Sequence, residues 1–448
     1  MAMGTRREHQ EELWIPTCSL ARPAGHPFYQ RLNQLLAEHD FDRFVEGQCQ
    51  RFYAAVRGRP GLAPGIYFRL LRIGYFEGID SERGIAWRAG DSLSIREFVG
   101  IRMNEEAPDH TTISRTRRLI DVETHQQVFA WVLERLAEAG LVKGKRIGID
   151  ATALEANAAL RSIVRRDNGD SYEEFLKGLA RQSGIETPTR EDLARVDRKR
   201  KKKGSNREWV NPHDPDARIT KMKDGRTHLA HKAEHAVDMD TGAVVAVTLQ
   251  EAHLGDTTTV KQTLAEAGTT VAELIEREAE AQPLEKPQVN LGGIEEVVAD
   301  KGYHSGPTLQ QMQAAGVRTY IPEKKQAGKR HWVGKDDEQR LVYANRQRLQ
   351  RSKGRRLLRK RGELIERTFA HCYDTGGMRR THLRKHNNIF KRLLIHVAGA
   401  NLGLLLRNRY GIGTPRGLQG LSLTFHLFLV LIACELEFEK NGAQMDRE

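Results

Sequence analysis

Cysteine is scarce and scattered: Cys18, Cys49, Cys372 and Cys434 are the only four in 448 residues. None forms a Cys-x-x-Cys pair, which argues against a zinc ribbon and against a disulfide framework. Free thiols in a reducing compartment are expected. The His-Glu-x-x-His signature of zinc proteases is missing as well. His228, His231, His235 and His253 crowd one region, and strand spacing puts His231 and His235 on one face, but nothing further marks them as metal ligands. Long apolar runs are absent. The longest, Leu421 to Cys434, is short of the ~20 residues of a membrane span and carries His426. A buried or partner-facing helix is expected there. The first residues, Met1 to His9, are followed by no apolar segment, so no secretory signal is expected. Negative charge is in deficit: Asp and Glu total 59 against 72 Lys and Arg, for a net +13 and a pI of about 9.6. That balance calls for an anionic partner, nucleic acid first and an anionic membrane surface second.

What is present is enough for ordinary cores, with 39 % hydrophobic residues, and for about three domains by length. The most informative stretch runs from Ile294 to Ser305. Val297 and Val298 continue an apolar run that ends at Ala299-Asp300; Lys301-Gly302 breaks it, and a helix starts at Pro307. That reads as a buried strand carrying an acid at its C-terminal tip. Sites of open α/β sheets sit at such strand ends. A second case lies upstream, where Ile147 and Ile149 alternate ahead of Asp150. The plain alternative for either acid is a cap on the following turn.

The first 125 residues read as helices, over Phe28–Phe44, Pro64–Phe76, Ser81–Ala89 and Ser94–Val99. Another begins after Asp109, a good N-cap. Ile113, Leu119 and Ile120 would face inward. Thr111, Thr112, Ser114, Arg115 and Arg118 would stay exposed, which suits a recognition helix in a major groove or simply a solvated basic helix. Gln126 to Ala139 is amphipathic. Residues 155–230 hold few apolar side chains and the basic run Arg198–Lys203, so they read as an insertion, partly helical at Tyr172–Arg181. Leu229–Val237 and Ala243–Leu249, joined by Asp240-Thr-Gly242, form a hairpin. A helix over Thr257–Ala281, a helix over Pro307–Ala315 and a strand over Val317–Ile321 follow. Residues 324–362 are dense in Lys and Arg. A helix over Arg355–Cys372 carries Glu363 and Glu366 on neighbouring positions.

If the strands ending in Asp150 and Asp300 are neighbours in a mixed sheet, their carboxylates converge at one edge, and a helix laid across that edge adds a third acid. Three carboxylates suit two Mg²⁺ ions, with Mn²⁺ substituting, since both prefer oxygen ligands. Two such ions serve phosphodiester chemistry, with the basic tracts neutralising phosphates beside them. The pattern alone reads as a metal-dependent nuclease.

The chain resembles bacterial insertion-sequence transposases of the DDE type. The residues that carry the likeness are Gly148-Ile-Asp150-Ala-Thr152, Asp216-Ala-Arg-Ile-Thr-Lys221, Asp240-Thr-Gly242, Val298-Ala-Asp300-Lys-Gly-Tyr303, Glu363-Leu-Ile-Glu366-Arg-Thr-Phe369-Ala-His371, Gly376-Gly-Met-Arg-Arg380 and the run Asn387 to Leu405. The likeness covers roughly residues 60–415. It implies an α/β, α+β overall, chain: a ribonuclease-H-like mixed sheet flanked by helices in 141–410, interrupted by the insertion after its first catalytic strand. It also implies an all-helical DNA-binding region at 1–140, and a helical tail is expected at 411–448. Asp150, Asp300 and Glu366 are implied as catalytic and metal-binding, with Glu363 a rival third acid. Many relatives carry Tyr, Arg and Lys at set distances around that glutamate. Here Gly362 and Tyr373 stand four before and seven after Glu366, so Arg361, or Arg379 and Arg380, would take over the phosphate contacts. Lys301 and Tyr303 are further candidates for supporting the site or touching DNA. The implied partners are double-stranded DNA, as the element's inverted-repeat ends and a target, and a second copy of the chain on that DNA. No membrane is implied, and the place of action would be the bacterial cytoplasm. A non-transposing metal-dependent nuclease and a non-catalytic DNA-binding protein are the alternatives.

Overall fold

A computed structural model describes residues 25–54, 58, 61–200, 204–222, 224–281, 287–325 and 330–418. The apolar stretch Leu421–Cys434 and nearly all of the expected tail lie outside the described residues. Up to residue 140 the described chain forms seven α-helices: α1 (Pro27–Glu38), α2 (Phe41–Cys49), α3 (Pro64–Glu77), α4 (Glu82–Asp91), α5 (Leu93–Val99), α6 (His110–Leu119) and α7 (Val122–Glu138). The apolar spacing of Phe28–Phe44 continues through a break, because Asp40 takes a left-handed φ of 48° and the helix restarts at Phe41. Aspartate is one of the few residues that tolerates this conformation. Ser81, Ser92, Asp109 and Asp121 each accept a hydrogen bond from a first-turn N–H and so start α4 to α7.

The remaining elements are β1 (Arg146–Glu155), β2 (Val164–Arg165), α8 (Tyr172–Gln182), α9 (Arg190–Lys199), β3 (Trp209–Val210), β4 (Arg218–Lys221), β5 (Thr227–Asp238), β6 (Val244–Glu251), α10 (Asp256–Ala281), β7 (Glu296–Ala299), α11 (Gly306–Ala314), β8 (Arg318–Tyr320), α12 (Asp336–Gln350), α13 (Ser352–Phe369) and α14 (His386–Tyr410). The insertion is more ordered than its composition suggests. Trp209 gathers Ile163 and Leu229 into one small core, and Leu176, Ala180 and Leu193 form another. Helix α9 begins at a capping box between Thr189 and Asp192, a local signal that its charged composition hides. Helix α12 lies unannounced in the basic region for the same reason.

One mixed sheet organises the second half of the chain. β1 runs antiparallel to β5 and parallel to β7; β8 is parallel to β7; β4 and β6 pair antiparallel with β5. Alternation along β1 divides its side chains. Ile147, Ile149 and Ala151 share the face of Glu234 on β5, which α10 covers, while Gly148, Asp150 and Thr152 share the opposite face, which α13 crosses. The exposed edge of β6 is sealed by α14, where Asn401 accepts from the Val244 N–H and donates to its carbonyl, both at 2.9 Å. Helix α14 is long and apolar enough to cross a membrane, but 89 % of that window is buried inside the fold, as in a core helix. A continuous apolar cluster extends from Phe28 through Ile147 and Ile149 to Leu406, so the N-terminal helices and the sheet share one core.

Two histidines in this core make stability depend on acid. His125 sits between the Asp121 carbonyl (2.7 Å) and the Tyr67 hydroxyl (3.1 Å), and His235 lies 2.5 Å from the Tyr373 hydroxyl. Burial holds both rings neutral, with pKa values lowered to about 3. In the unfolded chain they take up a proton near pH 6.5, so the folded state binds fewer protons below that pH. Stability is therefore full at neutral pH and falls as pH drops from about 6.5 toward 3, by about 2 kcal/mol per histidine at pH 5. Thermal unfolding followed by circular dichroism should show a lower Tm at pH 5 than at pH 7.5. An unchanged Tm would contradict neutral burial.

Candidate active site

Asp150 and Asp300 stand at the same level on adjacent parallel strands, each one residue beyond the paired Ile149 and Ala299. Asp300 follows the last residue of β7, as expected, but Asp150 does not end its strand: β1 stays paired with β5 through Asp150 to Glu155. Asp300 Oδ1 accepts from the Gly302 N–H at 2.6 Å and so starts the tight turn Lys301–Tyr303. Asp150 Oδ1 accepts from the Ala151 N–H at 2.8 Å, and its Oδ2 accepts two hydrogen bonds from Arg361, at 3.2 and 3.1 Å. Arg361 comes from α13 and is 9 % exposed. Gly148 lets that helix lie close: a Cβ there would be 3.3 Å from Arg361 Cγ and from Ile365 Cδ1. Burial raises the pKa of Asp150. Arg361 and the Ala151 N–H oppose this, and the charges of Asp300 and Asp256 push it up again. Capping and convergence therefore hold together at Asp300, which stabilises its own turn and shares one electrostatic neighbourhood with Asp150 inside β1.

The third acid is less gathered. Glu363 points to solvent and is paired with Arg367 at 2.6 Å. Glu366 is exposed, and its carboxylate has no partner among the described residues. It flanks the stripe of Leu357, Arg361, Ile365 and Thr368 that α13 lays on the sheet. Of the two glutamates, only Glu366 is free to accept a ligand.

Asp256 is a carboxylate the sequence reading passed over. It opens α10, after the short connection Ala252 to Gly255 that follows β6, and its Oδ1 accepts from Lys232 Nζ at 2.6 Å. Gly302 is the reason it can approach the site: a Cβ there would collide with Asp256 Oδ2 and stand 2.8 Å from Asp300 Oδ1. The strand-then-acid pattern that singled out Asp150 and Asp300 does not find Asp256, because Ala252 to Gly255 separate it from β6.

The proposed DNA contacts divide. Thr111, Arg115 and Arg118 are exposed along α6 and Thr112 is half-buried; Thr111 Oγ1 donates to the Asp109 carboxylate. Lys301 is exposed. Arg379 reaches Thr152 Oγ1 at 3.1 Å, and Arg380 is 59 % exposed beside Glu155. Tyr303 differs from the expectation of a surface contact. It is fully buried on the α10 side of the sheet, with its hydroxyl donating to Glu234 at 2.8 Å, so it supports the site from beneath. Tyr303→Phe should cost about 1–3 kcal/mol of stability, the cost of leaving Glu234 short of a donor, and leave DNA affinity unchanged. Urea unfolding and a binding titration test both halves.

The histidine group is structural where it is buried: His231 lies 3.1 Å from Asp214, both within the core. Among the described residues, no group of three or more His, Cys, Asp or Glu side chains is gathered to hold a metal ion. The donor chemistry nevertheless suits Mg²⁺, which binds through one or two carboxylates and completes its shell with water and substrate phosphate. Asp150 and Asp300 offer two such carboxylates, and Glu366 a third on the helix that crosses them.

Two family models match the chain. A transposase domain matches residues 18–119, which include α1 to α6, and a transposase DDE domain matches residues 193–402. The second span contains Asp300 and Glu366; Asp150 precedes it. Comparison with curated proteins and with solved structures gives no match.

Proposed function

The chain belongs to the DDE-type insertion-sequence transposases, and from that premise we propose that it binds the inverted-repeat ends of its own element, cuts them and joins the freed ends to target DNA. It is a DNA-cleaving enzyme that acts on DNA. The observation that carries the finer reading is the convergence of Asp150, inside β1, and Asp300, just past the end of the adjacent parallel β7, beneath a helix bearing the unpaired Glu366.

Asp150, Asp300 and Glu366 would hold two divalent cations, Mg²⁺ or in its place Mn²⁺. When bound, such cations activate the attacking oxygen and stabilise the leaving one. Arg361 shares Asp150 Oδ2 and lies within reach of a phosphate presented to that acid. In the cutting step water attacks phosphorus, the P–O3′ bond breaks, and a 3′-hydroxyl and a 5′-phosphate result. In the joining step that 3′-hydroxyl attacks a target phosphodiester. One P–O bond forms, one breaks, and the proton of the attacking hydroxyl leaves to solvent. No covalent protein–DNA intermediate is needed. The two ends must be held together, so a homodimer on DNA is proposed, acting in the bacterial cytoplasm where the element resides. No membrane enters this reading.

The test is incubation of the protein with a labelled duplex carrying the element's end, with a target plasmid, with and without Mg²⁺ or Mn²⁺. Metal-dependent cutting at the end, followed by joined products, supports the proposal. Cutting without preference for the end would instead make the chain a nuclease, and binding without cutting a DNA-binding protein.

A further inference from the structure

A cavity of about 480 Å³ lies where the N-terminal helices meet the catalytic half of the chain. Its walls come from the starts of α4 and α6, from residues 377–383 and from Asn157 beyond the end of β1; Arg392 and His396 of α14 also line it. Its acids are already engaged. Glu82 accepts from Arg117 at 2.6 Å, and Asp80 faces His382 at 2.9 Å. Its arginines are engaged only in part. Arg83 is exposed and has no acidic partner among the described residues. Among the described residues Arg380 has only Glu155 as an acidic partner, at 3.9 Å. Arg392 is 5 % exposed; it donates through Nε to His396 at 2.6 Å and through Nη2 to the Ile79 carbonyl at 2.8 Å, while its Nη1 carries no hydrogen bond among the described residues. Ser81 and His110 place the N-terminal turns of two ten-residue helices on the same wall, where backbone N–H groups favour anions.

This cavity is continuous with the catalytic strand. Beyond Asp150, Thr152 accepts from Arg379, Glu155 bridges in parallel to Arg380, and Asn157 donates to the His382 carbonyl at 3.0 Å. The six strand residues from Asp150 to Glu155, five steps of about 3.3 Å, span about 17 Å, or on the order of five base pairs of duplex lying alongside. On the other side, α6 leads from His110 to the exposed Arg115 and Arg118. Its C-terminal carbonyls, those of Arg117 and Ile120, are held by the buried Lys391 of α14 at 3.0 and 2.6 Å. Helix α6 is therefore fixed relative to the sheet.

We propose that this cavity seats a backbone phosphate of the bound DNA about five base pairs from the cut, held by Arg83, Arg380 and the free nitrogen of Arg392. It thereby sets the distance between the sequence read by α6 and the phosphodiester presented to Asp150. The proposal rests on the reading of the chain as an end-binding transposase.

Arg83→Gln and Arg380→Gln, singly and together, test it. Both side chains are exposed, so the substitutions leave folding within about 0.5 kcal/mol, which circular dichroism verifies. The probe is a duplex carrying the element's terminal sequence, titrated by fluorescence anisotropy at several salt concentrations. Each substitution should reduce the slope of log affinity against log salt by about one. Ethylating single phosphates should interfere with wild-type binding at a position about five base pairs from the cut, and that interference should vanish in the double variant. Unchanged slopes and an unchanged interference pattern would overturn the cavity as a DNA contact while leaving the end-binding reading intact. A wild-type protein that fails to bind the end would overturn both.

Discussion

Replacing Asp300 with Ala or Asn lowers the rate of end cleavage by about a thousandfold or more, with binding of the uncut end preserved. Both variants are needed because Asp300 has two jobs. Its Oδ1 caps the Gly302 N–H, and the alanine variant gives up that cap, worth about 1 kcal/mol. Asparagine keeps an acceptor for the turn and removes only the charge. Loss of cleavage in both variants, with folding retained in Asp300→Asn, assigns the defect to chemistry. Cleavage by Asp300→Asn at the wild-type rate would reduce Asp300 to a turn-former. The same assay separates the glutamates. Glu366→Gln should match Asp300→Asn, whereas Glu363→Gln, whose carboxylate pairs with Arg367 on the solvent side, should cut normally. The reverse pattern would move the third acid to Glu363.

Lys232→Met should destabilise the protein by about 3–5 kcal/mol, the cost of breaking a buried ionic pair from one side. Lys232 is 6 % exposed, and its ammonium donates to Asp256 at 2.6 Å, to Thr259 at 2.9 Å and to the Leu254 carbonyl at 3.3 Å; the fully buried Glu234 lies 3.9 Å away. Burial raises the pKa of Glu234, against hydrogen bonds from Thr263, Tyr303 and Thr259 and the nearby charge of Lys232. Without the lysine that opposition weakens further. A carboxyl raised in the folded state contributes stability below its unfolded pKa and loses it as pH rises through the folded value. The deficit of Lys232→Met should therefore shrink on acidification and shrink again in the Lys232→Met/Glu234→Gln double variant. Urea unfolding at two pH values measures both. A deficit that ignores Glu234→Gln would mean that the lost packing of the lysine stem, not its charge, is responsible.

Asp109 as a cap, the hairpin around Asp240-Thr-Gly242 and the strand that ends at Asp300 follow from neighbours a few residues apart. Caps, turns and alternation are short-range effects, and these residues express them without help from the rest of the chain. Helices α9 and α12 escaped because their apolar residues are few and their charges many. Their stability comes from faces packed against neighbours, which no local window contains.

The sequence by itself determined that the chain is basic, that Asp150 lies on one strand and Asp300 at the tip of another, and that α6 begins at Asp109 with arginines along it. Only the tertiary structure decided that β1 and β7 lie side by side and bring those acids together. It likewise set Arg361, 211 residues away, on Asp150, buried Tyr303 beneath the sheet and carried Asp256 to the same edge. Strand order and helix crossing are settled by burial of apolar area summed over the whole core, so residues far apart in the chain meet only after that sum has been made.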